Sequence, residues 1–126
     1  MLPKFFTGLF LVSLNALAAT PVELLAGYTA QSGQPANASK GEALFKTSHG
    51  QEWQCTSCHG KSPQAGGRHA STDKAIEPLA PAANPKRFTD SAKVEKWFRR
   101  NCKDVLAREC TAVEKADVLA WLITLR

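Results

Sequence analysis

Two segments near the C-terminus carry apolar side chains at helical spacing. The positions i, i+3, i+4, i+7 and i+11, which share one helical face, are Val94, Trp97, Phe98, Asn101 and Val105. The second segment follows a Thr-x-x-Glu capping box at 111–114, and its expected buried stripe is Val118, Trp121, Leu122 and Leu125. The chain is therefore predicted to end in two amphipathic helices.

Capping patterns also predict two helices in the first half of the chain. The segment 20–23 (TPVE) combines an N-cap Thr, a Pro at the first helical position and a Glu two residues later, and predicts a helix that reaches Tyr28. Ser39 with Glu42 repeats the capping box and predicts a second helix over 40–48. No convincing strand alternation accompanies these patterns, so the predicted fold class is all-α.

The N-terminal segment has the layout of a secretory signal peptide. Lys4 precedes a mostly apolar run over 5–17, and Ala16-Leu17-Ala18 offers a small-residue cleavage site. The alternative, a membrane anchor, needs about 20 apolar residues. We therefore expect residues 1–18 to be removed and the protein to be periplasmic and not membrane-spanning.

Length and charge limit the remaining possibilities. A chain of 126 residues provides one ordinary domain, and a net charge of +5 is too small to indicate nucleic-acid binding. Between Cys55 and Pro85 the chain is rich in Gly, Pro, Ser and Ala, which excludes long regular elements there and suggests that this stretch wraps something other than protein. After the signal peptide we expect an N-terminal helix and loop over 19–38 and one domain over 39–126.

The motif that carries chemistry is C-x-x-C-H at residues 55–59, the attachment signature of c-type haem. Thiols three residues apart can bind the two vinyl groups along one porphyrin edge, which leaves His59 beside the iron as its proximal ligand. A zinc site, a thioredoxin-type dithiol and a Cys55–Cys58 disulfide are the alternatives. The zinc site lacks a second closely spaced pair, the dithiol lacks its βαβ context, and the disulfide leaves His59 unexplained. The sequence thus predicts one covalently bound haem c.

The ligand on the other side of the iron is less obvious. Met1 is the only methionine and is expected to leave with the signal peptide, which excludes the usual sulfur ligand and leaves His49, His69, a lysine or a weaker donor. Asn101 stands out as a polar residue on an apolar helical face, although a helix C-cap is an equally ordinary role for it. Cys102 and Cys110 would lie about 12 Å apart on one continuous helix, so a bond between them requires a turn.

Several of these features together resemble a known family. The segments 83–90 (ANPKRFTD) and 93–100 (KVEKWFRR), followed by Asn-Cys and a second Cys eight residues later, resemble the sphaeroides haem protein family of high-spin, oxygen-binding monohaem cytochromes c. Residues 39–126 also resemble class I cytochrome c, with short helices around one haem.

The resemblance implies a set of residue roles. Cys55 and Cys58 would hold the haem, His59 would be the proximal ligand and Asn101 the distal ligand of the oxidised iron. A Cys102–Cys110 disulfide is also implied. The related type called cytochrome c-double-prime has His at the position of Asn101. Trp97 and Phe98 would line the haem pocket.

Three function classes follow. The first is a redox-gated haem protein that carries electrons and binds O₂, NO or CO; the second is a simple electron carrier; the third is a reductase of O₂, peroxide or a nitrogen oxide, for which no catalytic residue can be named. The family implies a dihaem cytochrome c and a membrane b-type cytochrome as redox partners. A basic helix face could dock an acidic partner or be an ordinary solvated face; its members are Lys93, Lys96, Arg100 and Lys103.

Overall fold

A computed structural model of the chain describes residue 1 and residues 18–126, so the hydrophobic part of the expected signal peptide lies outside the described residues. The elements in chain order are helices α1 (Pro21–Ser32), α2 (Ala38–Lys46) and α3 (Cys55–His59), strands β1 (Gly67–Arg68) and β2 (Ala75–Ile76), and helices α4 (Ser91–Leu106) and α5 (Ala112–Thr124). Within residues 18–126, no helix is long and apolar enough to cross a membrane.

The predicted starts of α1 and α5 are confirmed. Thr20 accepts a hydrogen bond from the Glu23 N–H, and Thr111 accepts one from the Glu114 N–H, each as part of a reciprocal capping box. The predicted start of α2 is wrong by two residues. Asn37, not Ser39, caps this helix, because its side chain accepts the Lys40 N–H at 3.0 Å while its own N–H reaches the buried carboxylate of Asp117 at 2.6 Å.

Helices α2 and α5 cross at very short range. A Cβ on Gly41 would lie 1.9 Å from the Asp117 carbonyl oxygen, so only glycine allows this approach. Further along the crossing, the Phe45 and Trp121 rings pack with centroids 5.1 Å apart. Helix α1 lies against α5 as well, and these three helices enclose the apolar core around the fully buried Leu119 and Leu122.

The middle of the chain contains two short strands that the sequence pattern did not predict. Strands β1 and β2 pair antiparallel in the register Gly67–Ile76 and Arg68–Ala75. With two residues each, they are too short for any alternation of polar and apolar positions to be visible. The rest of 60–90 is irregular, as the prolines and glycines indicate.

The end of α4 is a turn that brings two cysteines together. Ala107 adopts the left-handed conformation with φ 57°, and its N–H donates to the Lys103 carbonyl. This reversal places the Cα atoms of Cys102 and Cys110 5.6 Å apart, and the two residues form a disulfide. The turn thus brings the two cysteines close enough for a disulfide, which a continuous helix could not do.

Candidate haem site

The C-x-x-C-H motif forms the short helix α3. Cys55, Cys58 and His59 lie on its single turn, and both thiols are free. A Cys55–Cys58 disulfide is therefore absent. Cys102 and Cys110 are also unavailable as zinc ligands, because they are bonded to each other.

The surroundings of His59 fit a metal-bound imidazole. Its Nδ1 is the one buried side-chain nitrogen or oxygen of the described residues that has no hydrogen-bond partner, and such an atom calls for a functional explanation. Burial first, and the nearby charge of Arg87 second, lower the pKa of His59 to about 4. The ring is therefore neutral at pH 7, the form in which imidazole binds metals.

Arg87 is a part of the site that sequence reasoning missed. Its Nε donates to the Pro78 carbonyl at 3.0 Å and its Nη2 to the Glu77 carbonyl at 2.9 Å, so the guanidinium is fixed by backbone groups. Burial lowers its own pKa. The next residue, Phe88, is buried with φ 58°, an uncommon conformation for a bulky residue. The chain thus turns sharply to place a positive charge near His59.

The β1–β2 hairpin supports α3 from outside. A Cβ on Gly67 would lie 2.0 Å from the Cys58 carbonyl oxygen, which means that the hairpin backbone lies directly on the motif. The Ala70 N–H donates to the Cys58 sulfur at 3.4 Å. Burial raises the pKa of Cys55 to about 11, so this thiol stays protonated at neutral pH. The hairpin thus packs directly against Cys58 and His59.

The structure places Asn101 inside α4, one residue before the disulfide. The side chain is exposed, and because the helix continues to Leu106, the C-cap interpretation is wrong. The predicted apolar face is also shifted. Its buried members are Val94, Cys102 and Val105, and Asn101 lies on the flank.

The two aromatic residues assigned to the haem pocket also lie on α4. Trp97 is 44% exposed, with the charged ends of Lys96 and Arg100 5.8 and 5.6 Å from its ring centroid. Phe98 is half-buried and packs edge-on against Tyr28, with ring centroids 5.8 Å apart. The two neighbours thus have different surroundings, one at the surface and one on the core.

Helices α3 and α4 border the same apolar core. Cys55 on α3 and Phe98 on α4 both pack against the cluster that contains Phe45 and Trp121. Phe45 also lies beside His59, with ring centroids 5.9 Å apart. The cysteine-bearing turn and the helix that carries Asn101 are therefore linked through one packed cluster.

The two remaining histidines have local partners. A ring nitrogen of His49, Nε2, lies 2.8 Å from the Leu44 carbonyl oxygen. His69 accepts the N–H groups of Ser71 and Thr72 on Nδ1, at 3.2 and 3.3 Å. Its ring stands edge-on to Trp53 at 6.1 Å. Both rings thus have partners within the protein: His49 contacts α2, and His69 contacts its own turn and Trp53.

Comparison with known proteins identifies similar chains. A family model described as a domain of unknown function (DUF1924) matches residues 31–122. The chain is 52% identical over 107 residues to the cytochrome c-type protein SHP of Cereibacter sphaeroides, covering 82% of each chain. It is 48% identical over 80 residues to cytochrome c'' of Methylophilus methylotrophus, covering 64% of this chain and 56% of that protein.

Solved structures give the same result. Oxidised SHP, described as an oxygen-binding cytochrome c, superposes with a TM-score of 0.80 at 50% identity, covering 85% of this chain and 98% of the other. Oxidised cytochrome c'' of Methylophilus methylotrophus superposes with a TM-score of 0.72 at 38% identity, covering 84% and 94%. Both are all-α cytochromes c, which confirms the predicted fold class and the predicted cofactor, one haem c.

Proposed function

This chain belongs to the sphaeroides haem protein family of c-type cytochromes, and from that premise we propose that it carries electrons and binds O₂, NO or CO at its reduced haem. The haem, when bound, supplies an iron that changes oxidation state and accepts a diatomic ligand. The protein residues provide the attachment, one fixed ligand and one releasable ligand.

On the proximal side, Cys55 and Cys58 form the thioether bonds and His59 ligates the iron. The observation that supports His59 is its buried, neutral ring with an unpartnered Nδ1. Because the hairpin and Phe45 pack against this turn, we expect His59 to stay in place in both oxidation states. The proximal side is thus the constant part of the site.

On the distal side, Asn101 ligates the oxidised iron and Trp97 and Phe98 flank the pocket. A carboxamide oxygen is a hard, weak donor that suits ferric iron better than ferrous iron. Asn101 would be a weak ligand of reduced iron, and its amide N–H, once released, would be able to donate a hydrogen bond to a diatomic ligand. The observation that supports this proposal is the position of Asn101. Its side chain is exposed in the middle of a helix, one residue before the disulfide.

The relatives support both halves of the proposal. The SHP structure is described as an oxygen-binding cytochrome c. A solution structure of cytochrome c'' from Methylophilus methylotrophus, 35% identical with a TM-score of 0.72, was analysed for haem-ligand detachment. Oxygen binding and ligand release therefore both occur among proteins of this fold.

One optical titration tests the proposal. We expect the oxidised protein to be six-coordinate, the reduced protein to be five-coordinate and high-spin, and CO to bind the reduced form rapidly. A reduced six-coordinate spectrum that CO leaves unchanged would contradict the mechanism. Slow or absent CO binding would instead favour a simple electron carrier.

The Asn101→Ala variant tests the ligand itself. The oxidised iron should become five-coordinate or bind water, because alanine has no donor atom, while CO binding by the reduced form persists. His49→Ala and His69→Ala are the matched controls, and their oxidised spectra should equal that of the wild type. An unchanged oxidised spectrum of Asn101→Ala would exclude Asn101 as the ligand.

We also propose that the protein acts in the periplasm after loss of residues 1–18, as a domain over 39–126 preceded by a helix and loop. Its redox partners would be a dihaem cytochrome c and a membrane b-type cytochrome. The exposed basic face of α4 would dock an acidic partner; its members are Lys93, Lys96, Arg100 and Lys103. The mass of the exported protein should correspond to Ala19 as first residue, and electron transfer should slow as salt increases.

A further inference from the structure

Helix α4 is attached to the molecule in a different way from the other long helices. Helices α1 and α2 each lie close along α5, whereas the backbone of α4 makes no extended close approach to any other helix or strand of the described residues. Its attachment therefore depends on individual side chains, among them the core residues Val94 and Phe98.

Polar groups form one discrete attachment in the N-terminal half of α4, at Glu95. The Tyr28 hydroxyl on α1 donates to Glu95 Oε1 at 2.5 Å, and Lys115 Nζ on α5 lies 3.0 Å from Glu95 Oε2. The Lys115 ammonium also lies over the rings of Tyr28 and Phe98, at 5.5 and 5.9 Å. One carboxylate of α4 is thus tied to two other helices at once.

The environment strengthens these contacts. Tyr28 is only 5% exposed, and the Lys115 side chain is 17% exposed. Burial and the bond to Glu95 raise the pKa of Tyr28, so its hydroxyl remains a donor at any physiological pH. Hydrogen bonds to charged groups are among the stronger ones in proteins.

The second attachment is covalent and lies further along the helix. Cys102 is 5% exposed and bonded to Cys110, two residues before α5. Asn101 falls between the two attachments, about 1.7 turns after Glu95 and directly before Cys102. These two attachments therefore limit how far this part of α4 can move.

We infer that Tyr28, together with Glu95 and Lys115, is a positioning residue for Asn101: it fixes α4 so that the amide stays within reach of the ferric iron. This inference rests on the proposed function of Asn101. Without the attachment, α4 moves outward more often and the fraction of protein with Asn101 released increases. An added ligand that needs the released state then binds more tightly in proportion to that fraction.

Cyanide binding to the oxidised holoprotein measures this fraction, because cyanide must displace Asn101. Tyr28→Phe removes only the hydroxyl and keeps the ring on Phe98. We expect it to lower the apparent Kd for cyanide about fivefold, the equivalent of about 1 kcal/mol for one lost hydrogen bond. Glu95→Gln is the second variant and should shift the Kd in the same direction.

Two controls separate positioning from general loosening. CO binding to the reduced protein should stay within about twofold of wild type in Tyr28→Phe, because Asn101 is already released in that state. Lys46→Met breaks an exposed pair with Glu42 on α2 and should leave the cyanide Kd unchanged. Equal changes in CO and cyanide binding, or a shift in Lys46→Met as large as that in Tyr28→Phe, would overturn the inference.

The cyanide Kd of Asn101→Ala separates the ligand role of Asn101 from the positioning role of Tyr28. A strong fall of the cyanide Kd in Asn101→Ala, with no change in Tyr28→Phe and Glu95→Gln, would overturn the positioning role and leave the ligand role intact. An unchanged Kd in Asn101→Ala would overturn the ligand role, and the positioning role with it.

Discussion

The two sides of the haem site are built differently. The proximal side is a single helical turn, Cys55–His59, on which the hairpin lies so closely that a Cβ on Gly67 would meet the Cys58 carbonyl at 2.0 Å. The proposed distal side is a long helix, α4, that touches the rest of the molecule through side chains and a disulfide. A segment whose backbone is tightly packed cannot move without creating clashes or cavities, both of which cost free energy. A helix that is held by a few side chains can move at a lower cost.

The difference fits the two tasks of the site. A ligand that stays bound in both oxidation states is best carried by a segment without freedom, and a ligand that leaves must be carried by one that can adjust. His59 and the proposed Asn101 occupy these two kinds of segment. The following changes test this contrast, in order of decreasing effect.

The two cysteine pairs should differ completely in their effect on haem attachment. Cys55→Ser with Cys58→Ser removes both thiols that can bond the vinyl groups, so no haem should remain on the denatured chain. Cys102→Ser with Cys110→Ser is the matched control and should retain covalent haem. Haem staining after denaturing electrophoresis measures both, and staining of the first variant would refute the assignment.

Gly67→Ala should strongly destabilise the proximal side. The added methyl would lie 2.0 Å from the Cys58 carbonyl, and we expect a loss of about 3 kcal/mol in the free energy of unfolding. Gly27→Ala at an exposed position of α1 is the control: nothing lies within 4 Å of its new methyl, and the better helix propensity should add roughly 0.5–1 kcal/mol. Denaturant unfolding should show a lower free energy of unfolding for Gly67→Ala and a higher one for Gly27→Ala, each relative to wild type. Changes of the same sign would contradict the close packing of Gly67 on Cys58.

Loss of the Cys102–Cys110 disulfide should be milder and fall on the distal side. The loop spans eight residues in sequence, for which closure entropy predicts a loss of about 2.5 kcal/mol. The oxidised iron should also bind cyanide more tightly, because α4 loses its covalent attachment. Global destabilisation with an unchanged cyanide Kd would show that the disulfide has no part in holding Asn101.

The smallest effect should come from acid titration of Glu95. Partial burial raises its pKa, but hydrogen bonds from Tyr28 and Lys115 and the positive charge of Lys115 outweigh this and leave the pKa below its ordinary value. Its contribution to stability is thus complete at neutral pH and is lost as pH falls through the lowered pKa. Since its side chain is 42% exposed, solvent screening limits this to less than about 1 kcal/mol. The difference in Tm between wild type and Glu95→Gln should shrink from pH 7 to pH 3; a constant difference would contradict this coupling.

The sequence predicted most of the helices and the haem motif because those signals are local. Capping boxes at Thr20 and Thr111 and the C-x-x-C-H run are readable within a few residues, and the all-α class follows from them. The Ser39 cap failed because Asn37, two residues earlier, gains a second bond to Asp117, 80 residues away. No local pattern could have revealed that partner.

The amino-acid sequence alone determined what the protein can bind, because covalent haem attachment needs only two thiols and a histidine at fixed spacing along one turn. Tertiary structure alone decided how that haem would be held on its two sides. The meeting of Tyr28, Glu95 and Lys115, the position of Arg87 near His59 and the fit of Gly67 against Cys58 all join segments distant in sequence. Such contacts depend on which surfaces pack together, and that is settled only when the whole core has formed.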